Sequence, residues 1–226
     1  MNFIELKSGQ SLENVKIEVY KHDKKSQKHI YLIAGVHGDE VEGVFVLKNI
    51  FHWLKETNDV DLPLVVIPVL NVDGFRVSSR GNSHGVDLNR NLPADNWINQ
   101  CEKAKYNPGQ APLSEPENIF LVKLMEKYSP GIIISIHSWK PMLNYNGDCL
   151  DVAEYLHQYN HYEVVDSVGY ETPGSLGEYA PKHYNAPVLT FEMPRISDQL
   201  SLKEIWAENE EGIKNLLKSN VLKRFI

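Results

Sequence analysis

The stretch Ile30-Tyr31-Leu32-Ile33-Ala34-Gly35-Val36-His37-Gly38-Asp39-Glu40 decides the fold. Its first seven residues are mostly apolar and predict a buried strand, Ile30–Val36. The strand leads into a glycine-containing turn in which His37 and Glu40 stand three residues apart, so both side chains can be directed into one cleft. The next segment, Val41–Lys55, has apolar residues at helical spacing. A buried strand followed directly by an amphipathic helix indicates an α/β fold.

The same alternation of strand and helix continues along the chain. The other predicted strands are Val15–Tyr20, Leu64–Leu70, Ile132–Ile136 and Val188–Phe191, and the other predicted helices are Glu117–Tyr128 and Leu202–Lys218. We therefore predict an α/β layer fold with helices on both faces of a largely buried sheet. The polar run 21–28 is predicted to be a hairpin loop between two early strands. The segment 94–116 is predicted to be a long irregular loop, a kind that is often functional.

Composition narrows the class of protein. The 226 residues carry a net charge of −7, which argues against broad nucleic-acid binding. No apolar run is long enough to span a membrane, and the first residues lack the pattern of a secretory signal. We therefore expect a cytoplasmic protein. The two cysteines, Cys101 and Cys149, are predicted to be free thiols, although an exported protein could pair them.

A third polar residue joins His37 and Glu40. His137 follows the predicted strand Ile132–Ile136, and in α/β folds ligands gather at the carboxyl ends of strands. Two imidazoles and one carboxylate form the open three-ligand set of catalytic zinc. The same three side chains could also form a hydrogen-bonded site without metal.

Two loops and one strand end carry further polar groups. Asn89 and Arg90 are suited to binding a carboxylate, Arg90 through its planar fork. Arg80 could stabilise an oxyanion in a dry cleft, and Arg76 competes with it for that role. Glu192 follows an apolar strand and is suited to general base catalysis.

Structural roles are the alternative for the same charged groups. Arg90 could be an ion-pair partner of Asp87, and Glu192 could pair with Arg195 or with Arg90 inside the fold. Asp39 is expected either to orient a ligand histidine or to cap the following helix. The remaining histidines are expected at the surface, namely His22, His29, His52, His84, His157, His161 and His183.

Taken together, these segments resemble the M14 zinc carboxypeptidases. The resemblance lies in His37-Gly38-Asp39-Glu40, the distant His137, Asn71-Val72-Asp73-Gly74, Ser83-His84-Gly85-Val86-Asp87-Leu88-Asn89-Arg90-Asn91-Leu92-Pro93 and Phe191-Glu192. The segment 169–177, Gly-Tyr-Glu-Thr-Pro-Gly-Ser-Leu-Gly, is similar to one in the murein peptide amidases of that family. The resemblance implies a single catalytic domain over residues 1–226, with three layers and a mixed central β-sheet between helices.

The resemblance also implies roles. His37, Glu40 and His137 would hold one Zn²⁺ per chain, and Glu192 would be the general base. Arg80 would polarise the scissile carbonyl, and Asn89 with Arg90 would bind the terminal carboxylate of a small peptide. The implied reaction is hydrolysis of the γ-D-glutamyl–meso-diaminopimelate (Dap) amide bond in murein peptides, with no nucleic-acid or membrane partner.

Two substrate contacts are expected on weaker grounds. Digestive members of the family have a tyrosine after the Gly-Ser of this region, and here Tyr179 is the nearby residue that could replace it. Asp148 is expected to face the ammonium group on the Dap side chain. Trp139 and Tyr145 either line the pocket or belong to the core.

Two other classes of function stay open. The first is a zinc deacylase of N-acyl amino acids, of the succinylglutamate desuccinylase and aspartoacylase type, whose members also have HGxE and DLNR-like segments. The second is a non-catalytic module that binds carboxylates. The segment 169–177 argues against the deacylase, and the intact Glu192 and ligand set argue against the binding module.

Overall fold

The computed structural model describes residues 1–196 and 199–226. The strands in these ranges are β1 (Phe3–Glu5), β2 (Gly9–Gln10), β3 (Lys16–Ile17), β4 (Tyr20–His22), β5 (His29–Ala34), β6 (Leu64–Ile67), β7 (Pro130–Trp139), β8 (Met142–Asn146), β9 (Glu163–Val165) and β10 (Val188–Pro194). The α-helices are α1 (Val41–Glu56), α2 (Val72–Val77), α3 (Pro116–Lys127), α4 (Leu150–Asn160), α5 (Leu176–Tyr184) and α6 (Leu202–Lys218). No helix in the described ranges is both long and apolar enough to cross a membrane.

A mixed sheet forms the centre of the molecule. Its strand order within the described residues is β1-β4-β6-β5-β7-β10-β8-β9. The four strands β6, β5, β7 and β10 run parallel to their neighbours in that order. The strands β4 and β8 are antiparallel to them on either side. The carboxyl ends of the parallel strands therefore meet at one edge, where ligands bind in open α/β sheets.

Helices cover both faces of this sheet. One core contains Ile30 and Leu32 of β5 with apolar residues of α1, α4 and α6. The opposite core contains Tyr31 and Ile33 of the same strand with residues of α3 and α5. This alternation along one strand follows from the two-residue period of β structure, since successive side chains point to opposite faces. The predicted three-layer arrangement is confirmed.

Three early predictions were wrong. The single strand expected at 15–20 is two short strands, because β3 pairs with β2 in a separate ribbon whereas β4 pairs with β1 and β6. The run 21–28 is not a hairpin loop, because β6 lies between β4 and β5 in the sheet. His29 is also not at the surface. It is 4% exposed and begins β5.

Two strands are longer than predicted, and the long loop is largely irregular. The strand expected at 132–136 runs from Pro130 to Trp139, so His137 lies within it. The strand expected at 188–191 continues to Pro194 and includes Glu192. The loop 94–116 contains one short 3-10 turn, Ala104–Tyr106, and α3 begins at its last residue, a proline, which suits the first helical turn.

Candidate metal centre and active site

The ends of β5, β7 and β10 bring the predicted ligands together. Ala34, at the end of β5, pairs with Ile136 of β7, so His37 lies just beyond the strand and beside His137. Glu192 of β10 pairs directly with His137. The turn after β5 packs tightly on the backbone of α2, since a Cβ at Gly38 would lie 2.1 Å from the carbonyl carbon of Gly74. A side chain at position 38 would therefore push this turn away from α2.

His37, Glu40 and His137 converge on one point. The Nδ1 atom of His37 lies 2.7 Å from Glu40 Oε1, and the Nδ1 atom of His137 lies 2.8 Å from Glu40 Oε2. The two Nδ1 atoms are 3.2 Å apart. All three side chains are buried. Burial favours a protonated Glu40, but the two imidazoles hold the pKa of Glu40 well below its ordinary value.

The outer nitrogen of each imidazole also has a partner. His37 Nε2 lies 3.0 Å from Asp87 Oδ1, and His137 Nε2 lies 2.9 Å from Ser135 Oγ. These contacts orient both rings with Nδ1 towards the centre, as is usual for metal-binding histidines. Burial would raise the pKa of Asp87, but His37 and Arg80 lower it, so Asp87 is charged. The sequence analysis considered Asp87 only as a partner of Arg90 and missed this role.

Arg80 is held against the ligand cluster by the same carboxylate. Its Nε and Nη2 atoms donate to Asp87 Oδ2 at 3.0 and 2.8 Å. Its Nη1 atom lies 3.5 Å from Glu40 Oε1. Arg76, the competing arginine, is exposed on α2 and is not among the residues that line the cleft.

Asn89 and Arg90 lie in the same cleft, in a 3-10 turn that follows Asp87. The side-chain oxygen of Asn89 accepts a hydrogen bond from the backbone N–H of Leu176 at 2.8 Å, which leaves its amide nitrogen available as a donor. Arg90 is 6% exposed, and its Nη1 atom donates to Asn89 O at 2.7 Å. Both side chains can therefore donate to one carboxylate in the cleft.

Glu192 is buried and lines the cleft. Its Oε2 atom has no hydrogen-bond partner within 1–196 and 199–226. Burial, together with the negative charge of Glu40, raises the pKa of Glu192 to about 8. A carboxylate in this state can both accept and return a proton near neutral pH.

The structure does not place Tyr179 and Asp148 in the cleft. Tyr179 lies on the inner face of α5, is 3% exposed, and its ring stacks on His183 at 4.9 Å. The carboxylate of Asp148 forms an ion pair with Arg224 at 2.9 Å, and neither residue is among those that line the cleft. Both residues were assigned from their position in the sequence alone.

Aromatic side chains form one wall of the cleft, and the sequence analysis gave no role to two of them, Tyr106 and Tyr170. Tyr170 lies 6.2 Å, ring to ring, from both Tyr106 and Trp139. The Tyr106 ring lies 5.3 Å from the guanidinium carbon of Arg80 and 5.3 Å from that of Arg90. Tyr170 comes before the Gly-Ser of its segment, whereas Tyr179 comes after it. Tyr106 belongs to the long loop that was expected to be functional.

Asp39 neither caps a helix nor contacts a ligand histidine. Its carboxylate lies 3.6 Å from Arg195 at the side of the cleft. The residue before α1 is Glu40, and its side chain makes no capping hydrogen bond. Trp139 lines the cleft, whereas Tyr145 packs against the core. Cys101 and Cys149 are free, as predicted.

A family model described as zinc carboxypeptidase, Peptidase_M14, matches residues 3–187. The chain belongs to this family. It is 33% identical to murein peptide amidase A of Escherichia coli K12 over 211 residues, which are 88% of this chain and 85% of that protein. It is 28% identical to murein peptide amidase A of Vibrio campbellii over 87% of this chain and 82% of that one. These similarities identify this zinc carboxypeptidase as a hydrolase.

Solved structures of zinc carboxypeptidases agree with the fold. The murein-tripeptide amidase of Escherichia coli O157 superimposes with a TM-score of 0.78 at 27% identity, covering 97% of this chain and 92% of that one. The carboxypeptidase A of Helicoverpa armigera has the same TM-score at 18% identity, covering 97% of this chain and 68% of that one. At that identity, the second match shows the fold alone.

The donor set fits the metal that gives the family its name. Two imidazole nitrogens and a carboxylate are the three protein ligands of many catalytic zinc sites. Here the ligand atoms lie within 4.8 Å of one another, and the outer nitrogen of each imidazole ring has a hydrogen-bond partner. The cleft of about 400 Å³ leaves one side of the cluster open. His37, Glu40 and His137 are therefore suited to hold one divalent ion.

Proposed function

We propose that this zinc carboxypeptidase hydrolyses the amide bond between γ-D-glutamate and meso-Dap in murein peptides. The observation that carries the proposal is the cleft itself. It combines the three-residue ligand set with a buried carboxylate, Glu192, and with a carboxylate-binding pair, Asn89 and Arg90. The similarity to murein peptide amidases supports this choice among the peptides that zinc carboxypeptidases cut.

We propose the following roles for the residues of the cleft. A zinc ion held by His37, Glu40 and His137 would supply a Lewis acid and lower the pKa of an attacking water to about 7. Glu192 accepts the proton of that water and returns it to the leaving amine of Dap. Its buried position in the cleft, beside the ligand set, suits both steps.

The two arginines contact different groups of the substrate, Arg80 the scissile carbonyl and Arg90 the free carboxylate. Arg80 donates to the oxygen of the scissile carbonyl as negative charge develops there. Its guanidinium is fixed by Asp87, so little reorganisation is needed during the reaction. Asn89 and Arg90 bind the free carboxylate of Dap next to the scissile bond, which sets the position of cleavage one residue from the end.

The test is mass-spectrometric turnover of L-Ala-γ-D-Glu-meso-Dap, with zinc content measured on the same preparation. We expect the zinc-loaded protein to release free Dap and a chelator to abolish the release. Glu192→Gln should retain zinc and lower kcat by about 10²-fold or more. The exposed residue Glu211, on α6, gives the matched control Glu211→Gln, which should behave as the wild type.

Two results would contradict the proposal. Zinc binding without Dap release would show that the substrate is another one, and N-succinyl and N-acetyl amino acids would then be tested. Failure to bind zinc after reconstitution would remove the assigned roles of His37, Glu40 and His137.

A further inference from the structure

A buried carboxylate to which the proposed function gives no role lies in the first turn of α1. Glu42 follows the proposed ligand Glu40 by two residues and is 3% exposed. Its Oε2 atom accepts a hydrogen bond from Ser138 Oγ at 2.6 Å, and its Oε1 atom accepts one from the backbone N–H of Ile196 at 2.8 Å. Because a carboxylate is costly to bury unless it is hydrogen-bonded, these contacts fix Glu42 and its two partners relative to one another.

Ser138 links Glu42 to the metal centre. It follows His137 on β7 and is itself buried. Its backbone N–H donates to Glu40 Oε2 at 3.2 Å, while its hydroxyl donates to Glu42. A carboxylate that binds a metal is oriented by the hydrogen bonds that it accepts from the surrounding protein. A displacement of Ser138 would therefore change how Glu40 presents its oxygens to the ion.

Ile196 connects the opposite side of the cleft to the same carboxylate. It lies two residues after the end of β10, the strand that carries Glu192, and directly after Arg195. Arg195 lines the cleft, and its Nη1 atom donates to Ser138 O at 3.2 Å. The contacts of Glu42 therefore hold the chain beyond β10 against the end of β7.

Close packing of α1 on β7 brings Glu42 within reach of Ser138. Gly43 comes directly after Glu42, and Ile136 comes directly before His137. A Cβ at Gly43 would lie 2.8 Å from the carbonyl oxygen of Ile136, so a larger residue would push the helix away from the strand. The first turn of α1 is therefore held against the strand that carries His137.

We propose that Glu42 is a positioning residue of the metal centre, which holds Ser138 so that the backbone N–H of Ser138 orients the carboxylate of Glu40. Glu42 acts through Ser138 and not as a ligand, because its two oxygens accept from Ser138 Oγ and Ile196 N. The inference rests on the proposed function in one respect, since it takes the three-residue ligand set to hold zinc. It does not depend on which peptide is cleaved.

The test compares Glu42→Met, which has no oxygen acceptors, with the conservative variant Glu42→Gln. In Glu42→Gln the amide oxygen can accept from Ile196 N and the NH₂ group can donate to Ser138 Oγ, because a hydroxyl also accepts. We expect the zinc dissociation constant, measured by competition with a chromophoric chelator, to rise about tenfold in Glu42→Met and less than about threefold in Glu42→Gln. The visible absorption spectrum of the Co²⁺-loaded protein should change in Glu42→Met, because its bands depend on the geometry of the ligands.

Three further variants separate positioning from a general loss of stability. Glu56→Met replaces an exposed glutamate at the other end of α1 and should change neither readout. Leu217→Ala removes a core side chain of α6, so it should lower the free energy of unfolding but leave the zinc dissociation constant within about twofold of the wild type. Ser138→Ala removes only the hydroxyl that contacts Glu42 and should raise the zinc dissociation constant about threefold, so it provides the test if Glu42→Met does not fold.

The outcomes separate this inference from the proposed function. Wild-type zinc affinity and a wild-type Co²⁺ spectrum in folded Glu42→Met would overturn the inference and leave the metal centre in place. An equal loss of zinc affinity in Leu217→Ala would also overturn it, because the loss would then follow stability alone. If the wild type binds zinc but releases no Dap, the proposed substrate fails, and a tenfold loss of zinc affinity in Glu42→Met still supports the inference. A wild type that binds no zinc after reconstitution would overturn both.

Discussion

Asp87→Asn is the substitution that tests most directly how the metal centre is held. Asp87 is fully buried and accepts four hydrogen bonds. Its Oδ1 atom accepts from His37 Nε2 at 3.0 Å and Asn89 N at 2.9 Å, and its Oδ2 atom accepts from Arg80 at 3.0 and 2.8 Å. An asparagine has the same shape, but one of its two acceptors becomes an NH₂ group. In either orientation this group faces two donors.

The size of the effect follows from this geometry. Two hydrogen bonds are lost, and at least one of them comes from Arg80 or from the ligand His37. A hydrogen bond to a charged group is worth about 1.5–3 kcal/mol. The guanidinium of Arg80 also loses its buried counter-charge, so the free energy of unfolding should fall by about 3–5 kcal/mol. His37 would no longer be fixed from behind, and zinc affinity should fall about 10–100-fold.

Two measurements read these effects separately. Competition with a chromophoric chelator gives the zinc affinity, and urea unfolding of the metal-free protein gives the stability. The matched control is Asp61→Asn, since Asp61 is an exposed aspartate paired with Lys24 at 2.7 Å. The role assigned to Asp87 would be refuted if Asp87→Asn bound zinc within about twofold of the wild-type affinity and had the wild-type free energy of unfolding.

Three further substitutions test other parts of the structure. Arg90→Lys keeps the charge but loses the planar guanidinium, so kcat/KM for a peptide with a free terminal carboxylate should fall about 10²-fold, mostly through a higher KM. An unchanged KM would argue against carboxylate binding by Arg90. Burial raises the pKa of Glu117 above its ordinary 4.5, and its Oε1 atom has no partner in the described chain. The contribution of Glu117 to the stability of the wild type therefore falls as the pH rises above 4.5. Glu117→Gln removes this titration, so at neutral pH the free energy of unfolding of the variant, measured in urea, should exceed that of the wild type by on the order of 1 kcal/mol. A variant that is less stable than the wild type by the same amount at all pH values would contradict the argument. A Cβ at Gly131 would lie 1.7 Å from the carbonyl oxygen of Phe225, so Gly131→Ala should displace the 3-10 segment of residues 221–225 and lower the free energy of unfolding by about 1–3 kcal/mol, whereas an effect below about 0.5 kcal/mol would show that the segment is not tightly docked.

The central layer of the fold was predictable because its residues are buried on both faces. Strands such as Ile30–Val36 and Val188–Phe191 are continuous apolar runs, and helices such as Leu202–Lys218 have a clear 3.6-residue period. The sheet edges were not predictable, because β8 and β9 are short and carry polar residues, and the period of α5 is interrupted by Pro181. Short edge strands are defined by their pairing partners, which the sequence alone does not reveal.

The site residues, too, fall into those that the sequence predicts and those that it does not. Residues near the carboxyl ends of parallel strands, such as His37 and Glu192, were placed in the cleft from the sequence because these ends meet at one edge. Asp87 was missed because its partners, His37 and Arg80, are 50 and 7 residues away, so no local pattern marks it. Tyr179 lies on the face of α5 that packs against the sheet and not in the cleft, because a position after the Gly-Ser does not fix which face of a helix the residue occupies.

The aromatic wall of the cleft has an optical consequence. Trp139 is 48% exposed at the cleft, and its ring is 6.2 Å from Tyr170. Two of the other three tryptophans, Trp53 and Trp206, lie around Lys214, on the far helices α1 and α6. Indole emission shifts to shorter wavelength when water is displaced, so a ligand that fills the cleft alters the fluorescence of Trp139 in particular. The unlabelled protein thus carries a built-in reporter with which the arrival and departure of peptides can be timed by stopped-flow.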